Sequence, residues 1–345
     1  MQVSIKRLQI LYGLVAIILL LSCDNSSRYN PNMLKPNAKK NYGELLFALE
    51  KKYWKSNLGI SIKKSFETLI KTTPLPYEKE FEIDFIIPKK IIKNIKVKNC
   101  ILFIDIANYN PSKTTPIFKN DLWAKGQLII ELKFNSEESA VNYFKNNTER
   151  LKQSINEFYF DQISKKYSTK NIINSTIQSE MELSFKAPKG FKLNKKSQNF
   201  WWFSNLTIKK DQNGSHEIQK GIVIYKYPYS NQKQFQKQKQ IRLRDSIFKI
   251  YLRGKNKDSY MITNLNGLNE TKSKAQTVNN KYIKRLSGCW RMINDKMGGS
   301  FISISRLSKD KKQIITVEGY VYAPNFEKLK LLRELETIIY SSFWK

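Results

Sequence analysis

The apolar run from Leu8 to Leu21 is broken only by Gln9, Tyr12 and Gly13 and ends at Ser22-Cys23. It limits what the rest of the chain is free to become. Lys6 and Arg7 precede it. A charged start, an apolar stretch of roughly 7–15 residues and a small residue before the cut make up a secretory signal. A helix that spans a bilayer needs about 20 apolar residues, more than this run holds. The cysteine directly behind the small residue marks the lipoprotein form of the signal, because diacylglycerol is attached through a thioether. We read the segment this way in preference to an ordinary signal with an incidental Cys23, or an uncleaved anchor helix. Residues 1–22 are then removed and Cys23 becomes the lipidated first residue. No later stretch is apolar enough to span a membrane, so the remaining 323 of 345 residues must fold as a domain held outside the bilayer.

Residues 23–40 are polar, contain Pro31 and Pro36, and offer little to bury, which describes a flexible tether. They hold no acidic or lysine run directly after Cys23, which favours an outer-membrane protein facing the periplasm over one on the cell surface. The formal charge is +32, but only 10 of the 61 basic residues are Arg and the lysines are spread along the whole chain. A nucleic-acid footprint would be clustered and richer in Arg, whose planar fork matches phosphate, so no nucleic-acid partner is expected. The charge still favours loose contact with anionic lipid head groups. Cys100 and Cys289 sit in apolar, strand-like runs and read as buried free thiols.

The mature length suffices for one large domain or two ordinary ones. Tyr42 to Leu49, Phe81 to Ile87, Cys100 to Ile106 and Gln127 to Phe134 read as strands. A turn is expected around Trp54 and Gly59, followed by a helix over Ile60 to Ile70 with Ile62, Phe66, Leu69 and Ile70 on one face. Ser136 should cap a long helix striped by Val141, Phe144, Leu151, Ile155 and Phe158, with Glu137 and Glu138 in its first turn. Further on, Leu183 to Leu193 reads as extended pieces about a Pro188-Lys189-Gly190 turn. Asn199 to Phe203, Gly221 to Tyr229, Tyr282 to Met292, Ser300 to Ser305 and Gln313 to Tyr322 read as strands, Ile241 to Leu252 as a helix, and a last helix starts near Asn325. Strands and helices mix without strict alternation, so the class is α+β, mainly antiparallel sheets packed with helices. The subdomains would be 41–180 and 181–345. Both show strands followed by a closing helix, which admits two similar subdomains.

The usual catalytic templates are missing. His216 is the single histidine and lies in a loop-like stretch after Asp211, without a nucleophile elbow. There is no phosphate-binding glycine loop, no His-Glu-x-x-His and no cysteine pair for metal, so no catalytic residue, metal or cofactor is assigned. What remains is a constellation near the end: Trp290, the Gly298-Gly299 pair, Glu318 and Tyr322. Adjacent glycines before a strand suit a bulged turn or a close backbone approach. A carboxylate in an apolar strand should be paired or should face a cleft, and Arg244-Asp245 or Arg291 would be its partner. These residues read either as a ligand site or as a hairpin with a buried ion pair that sets strand register.

The run from Gly288 to Pro324 resembles the carboxy-terminal signature of domain-of-unknown-function family 4837, a set of lipoproteins from Bacteroidota. The matching residues are Trp290, Met297-Gly298-Gly299, Phe301, Glu318-Gly319, Val321-Tyr322-Ala323-Pro324 and Arg333 with Leu335-Glu336. Cys289, Ser300 and Tyr320 depart from the family's Leu, Pro and Phe. The resemblance extends upstream through Arg244-Asp245-Ser246, Tyr227-Pro228-Tyr229, Trp123-Ala124, Leu75-Pro76 and Trp54-Lys55. It implies an envelope lipoprotein and no activity.

Two functions are therefore expected to compete, with anionic-lipid binding through a one-sided lysine patch as a third. The leading one is a non-enzymatic binding or structural module, tethered to the membrane and meeting an envelope protein or glycan. It rests on the missing chemistry and on an aromatic-rich surface vocabulary expected of Trp54, Trp123, Trp201, Trp202, Trp290 and Tyr227-Pro228-Tyr229. The alternative is a hydrolase acting on an envelope glycan or peptide, with Glu318 and either Glu336 or Asp295 as acid and base.

Overall fold

The computed structural model describes residues 34–39, 41–109, 115–178, 180–181, 183–212, 214–278 and 281–342. The signal segment and Cys23 lie outside the described residues. Among the described residues, no helix is long and apolar enough to cross a membrane.

The first sheet has five strands: β1 Glu44–Ala48, β2 Glu82–Ile86, β3 Cys100–Ile106, β4 Ile117–Asn120 and β5 Leu128–Phe134. Their order is β2-β1-β3-β5-β4. The β1–β2, β1–β3 and β3–β5 pairs are parallel, and only β4 runs against its neighbour. β3 and β5 read as nearly continuous apolar runs because both their faces are covered, as parallel strands require. One face packs Phe47, Leu102, Ile104, Ile130 and Leu132 beneath helices α1 (Asn57–Phe66) and α2 (Glu137–Ser164). The other buries Leu46, Ile101 and Ile129 under the segment around Ile91 and Trp123.

Ser136 caps α2 as expected, its hydroxyl accepting from the Ser139 N–H in a reciprocal capping box. Phe144, Leu151 and Ile155 form its buried stripe. The region before it differs from expectation. Trp54 ends a short helix and Gly59 lies inside α1 rather than in a turn, because the Ser56 hydroxyl accepts from the Leu58 N–H and restarts the helix. The helix also stops early, at Phe66, whose carbonyl accepts from the Phe81 N–H. Leu69 and Ile70 leave it to pair with Lys79 and Glu78 as two short antiparallel strands.

The second sheet is antiparallel throughout. Its strands are β6 Lys192–Ser197, β7 Phe200–Asp211, β8 Gly214–Pro228, β9 Tyr260–Thr263, β10 Lys272–Val278, β11 Lys281–Ile293, β12 Gly298–Leu307 and β13 Gln313–Tyr322. The order is β9-β11-β12-β13-β8-β7-β6, with β10 also paired to β11. Of the Leu183–Leu193 expectation only the end is a strand, since 183–186 is irregular and Ala187 makes only an isolated antiparallel bridge to Ser168. His216 stands in β8 rather than in a loop, because β7 and β8 continue as a ladder out to Asp211 and Gly214.

Strand parity divides this sheet into two filled faces. Trp201, Phe203, Ile222, Ile224, Ile302, Ile304, Val317 and Val321 meet the last helix, α5 (Leu329–Ser341), and the short helix α3 (Ile172–Ile177). Phe200, Val223, Tyr225, Leu286, Trp290, Phe301 and Tyr320 meet helix α4 (Lys237–Tyr251). The molecule is thus an α+β protein dominated by antiparallel pairing, with a parallel-rich sheet in front. The two units differ in strand direction and order.

A clasp joins them. The Glu78 carboxylate, from the first unit, accepts from the backbone N–H groups of Lys328 (2.7 Å) and Leu329 (2.8 Å) and so caps α5. The Arg333 side chain donates to the Glu80 carbonyl and lies over the Phe81 ring. The Glu80 carboxylate in turn holds the buried Lys152 of α2 at 2.6 Å.

Candidate functional site

α4 carries Arg244 inward at the centre of its buried stripe, between Ile241 and Phe248. The guanidinium carbon sits 4.3 Å from the centroid of Phe248 and 4.1 Å from that of Phe301, between two aromatic faces. Its Nε donates to Glu318 Oε2 at 2.8 Å and its Nη2 to Oε1 at 2.6 Å. Nη1 donates to Asp245 Oδ1 and to Thr263 Oγ1, both at 3.1 Å. Asp245 Oδ1 also accepts from the Thr263 backbone N–H at 2.8 Å. Helix α4 is thereby riveted to the edge strand β9 and the central strand β13. Arg244 and Glu318 are both 0 % exposed. Burial pushes the Glu318 carboxyl above its usual range while the Arg244 guanidinium pulls it back. The two-point contact with a permanently charged guanidinium is the geometry of an ion pair. The expected partner Arg244 is confirmed. Arg291 lies outside the pair.

Trp290 is buried too. Its Nε1 donates to the Val321 carbonyl at 3.2 Å, and its ring stands edge-on to Tyr320 at 5.6 Å. Gly299 is its cross-strand partner. A Cβ on Gly299 would lie 1.9 Å from the Val321 oxygen and 3.0 Å from Trp290 Nε1, so only glycine lets the indole reach across β12 to β13. Of the two roles expected for the glycine pair, close approach is the one realised. Gly298 and Gly299 keep regular register with Arg291 and Trp290, without a bulge. Tyr320 accepts from Trp202 Nε1 at 3.0 Å, and its ring covers Gly221, where a Cβ would meet it at 2.0 Å. Tyr322 is half-buried and tilted against Trp290 at 6.4 Å.

The structure therefore brings Trp290, Gly299 and Tyr322 together, and separately Arg244 with Glu318, on one face of one sheet. It does not assemble the acid–base pair expected for a hydrolase. Glu318 faces α4 together with Phe301 and Tyr320. Glu336 belongs to α5 on the opposite face, where it accepts from Arg285 Nε at 3.1 Å. Asp295 sits in the turn between β11 and β12. Two hollows, of about 270 and 510 Å³, are lined by other residues, the first between α2 and α5 and the second beside Lys226, Lys281 and Arg306.

Thr263 and the Phe248–Phe301 sandwich carry no motif in the sequence. Only the i, i+4 spacing of Arg244 and Phe248 hinted at the latter. Cys100 and Cys289 are buried free thiols, as expected, and burial pushes both up to about 12. His216 bonds Asn325 at 2.7 Å and stands edge-on to Phe326. Among the described residues, no group of three His, Cys, Asp or Glu side chains converges as a metal site would need.

Fold and signature together define a two-unit α+β protein whose most distinctive residues build its interior. Residues 169–341 match the family described as a domain of unknown function (DUF4837), and the chain belongs to that family. Residues 38–168 match a second domain of unknown function (DUF8532), so the upstream motifs at Trp54, Leu75-Pro76 and Trp123 fall in a region that a different family describes. No curated protein matches the chain.

Proposed function

We propose that this is a lipid-anchored envelope protein, held at the periplasmic face of the outer membrane through Cys23, that acts as a binding or structural module. In this reading residues 1–22 are the signal and 23–40 the tether, and two subdomains follow, with α3 in the core of the second. The observation that supports a module over a hydrolase is the state of Glu318: its carboxylate is fully buried and bonded twice by Arg244. A general acid or base needs hydrogen-bond reach to a substrate. Glu318 has no open side, and Glu336 is on the other face of the sheet.

Metabolic labelling with an alkyne analogue of palmitate tests the anchor. The wild-type chain should take up label and Cys23→Ser should not; label surviving in the variant would overturn it. Crosslinking in intact envelopes then tests the module. Recovery of a defined protein or glycan adduct is expected, and recovery of monomer alone under all conditions would refute it.

A further inference from the structure

Two loops from the two units meet at one corner of the molecule and expose leucines there. Tyr77 Oη donates to the Leu268 carbonyl at 2.6 Å, and the Glu270 backbone N–H donates to the Lys71 carbonyl at 2.8 Å. The Glu270 carboxylate bridges Lys71 and Lys272 across the same junction. Leu75, Leu265 and Leu268, on these loops, are 61, 56 and 72 % exposed. Isolated exposed leucines are ordinary, but three on two loops that are bonded to each other form a feature.

The position of this corner matters. β1, β2, β3 and β5 are parallel, so their amino ends lie at one end of the first sheet. The chain arriving from the tether is bonded at that end: the Ala38 N–H donates to the Lys125 carbonyl at 2.9 Å and the Lys39 N–H to the Val97 carbonyl at 2.8 Å, just ahead of β5 and β3. The loop carrying Leu75 feeds β2 at the same end, where the Glu82 N–H donates to the Gly43 carbonyl at 2.9 Å. From Cys23 to Asn37 the chain reaches at most roughly 50 Å, which holds the domain near the bilayer without orienting it.

We propose that residues 69–77 and 264–270 form a second, non-covalent membrane contact. Their leucines enter the acyl boundary of the leaflet that holds the anchor, and the Lys71–Glu270–Lys272 cluster, with one positive charge in excess, lies at head-group level. The proposal rests on the lipid-anchor reading. Apolar insertion beside basic side chains is how interfacial contacts hold to phospholipid.

The test uses the lipidated full-length protein in vesicles of equal parts phosphatidylethanolamine and phosphatidylglycerol. Leu75→Cys, Leu268→Cys and Ile60→Cys would each carry an environment-sensitive fluorophore, and the two native thiols are buried. Ile60 is the control: 63 % exposed, it lies near the opposite end of the sheet, where the Leu58 N–H meets Glu137 at the start of α2. Probes at 75 and 268 should shift to the blue and be quenched by brominated acyl chains several-fold more than the probe at 60. Vesicles that float with the protein while all three probes stay aqueous would overturn the docking and leave the anchor intact. Protein that fails to float overturns the anchor and the docking with it.

Discussion

At the scale of single residues, the signature is a set of demands that one side chain makes on another. Arg244 is tolerable inside the protein only because Glu318, Asp245 and Thr263 take its donors and two rings take its faces. Glu318→Ala removes the two-point partner and leaves only Asp245, at 3.1 Å, to offset that buried charge; it should lower the unfolding free energy by about 3 kcal/mol in urea titration. Replacing both partners by apolar residues of similar volume should cost far less, so a double-mutant cycle will show strong coupling. Gly221→Ala drives a methyl into the Tyr320 ring and should cost about 1–3 kcal/mol or more, read as a lower melting temperature. Cys100 and Cys289 should resist iodoacetamide in the native state and react once unfolded. The pH dependence has a definite sign. A folded-state thiol pushed up to about 12 keeps its proton while the unfolded thiol, at about 8.5, has lost it. This stabilising contribution is therefore complete below the unfolded value and is lost as pH rises from about 9 towards 12.

At the scale of elements, helices were legible where capping and stripe agreed. Ser136 and the Phe144-Leu151-Ile155 stripe mark α2 from sequence alone. α1 is not legible at either end because its limits come from a local serine cap and a distant Phe81 amide. α5 is a further case. The stripe of Leu332, Leu335, Ile338 and Ile339 is visible in sequence, but its start is displaced from Asn325 to Leu329 because its cap is Glu78 from the other unit. Glu78→Ala should cost about 1–2 kcal/mol by removing both the cap and the favourable charge at the helix amino end. It should also loosen the two units from each other, visible as faster hydrogen exchange in α5 with the distal strands β6 and β7 unchanged.

At the scale of the whole molecule, the clasp of Glu78, Glu80, Lys152 and Arg333 spans the two family regions. Calorimetry should therefore show one cooperative transition for the intact chain. Two resolved transitions would mean that the clasp contributes little. The same architecture accounts for what was hidden. Whether Glu318 and Glu336 share a cleft depends on register and parity in an eight-stranded sheet and on which face each helix covers. A shift of one residue in β13 would reverse the answer.

Local chemistry sufficed to determine from the sequence the α+β class, the positions of most strands, the family, and a short choice of partners for Glu318 that included Arg244. Each of these is written in a short run of residues or in a periodicity. Only the tertiary structure decided that the pair is sealed, that Gly299 exists for the Trp290 indole, and that the Leu75 loop stands beside the Leu268 loop. Those outcomes rest on contacts between residues far apart in the chain, 74 positions for Arg244 and Glu318 and 191 for Tyr77 and Leu268. Chain closure over such distances is set by the packing of whole layers, which no local pattern records.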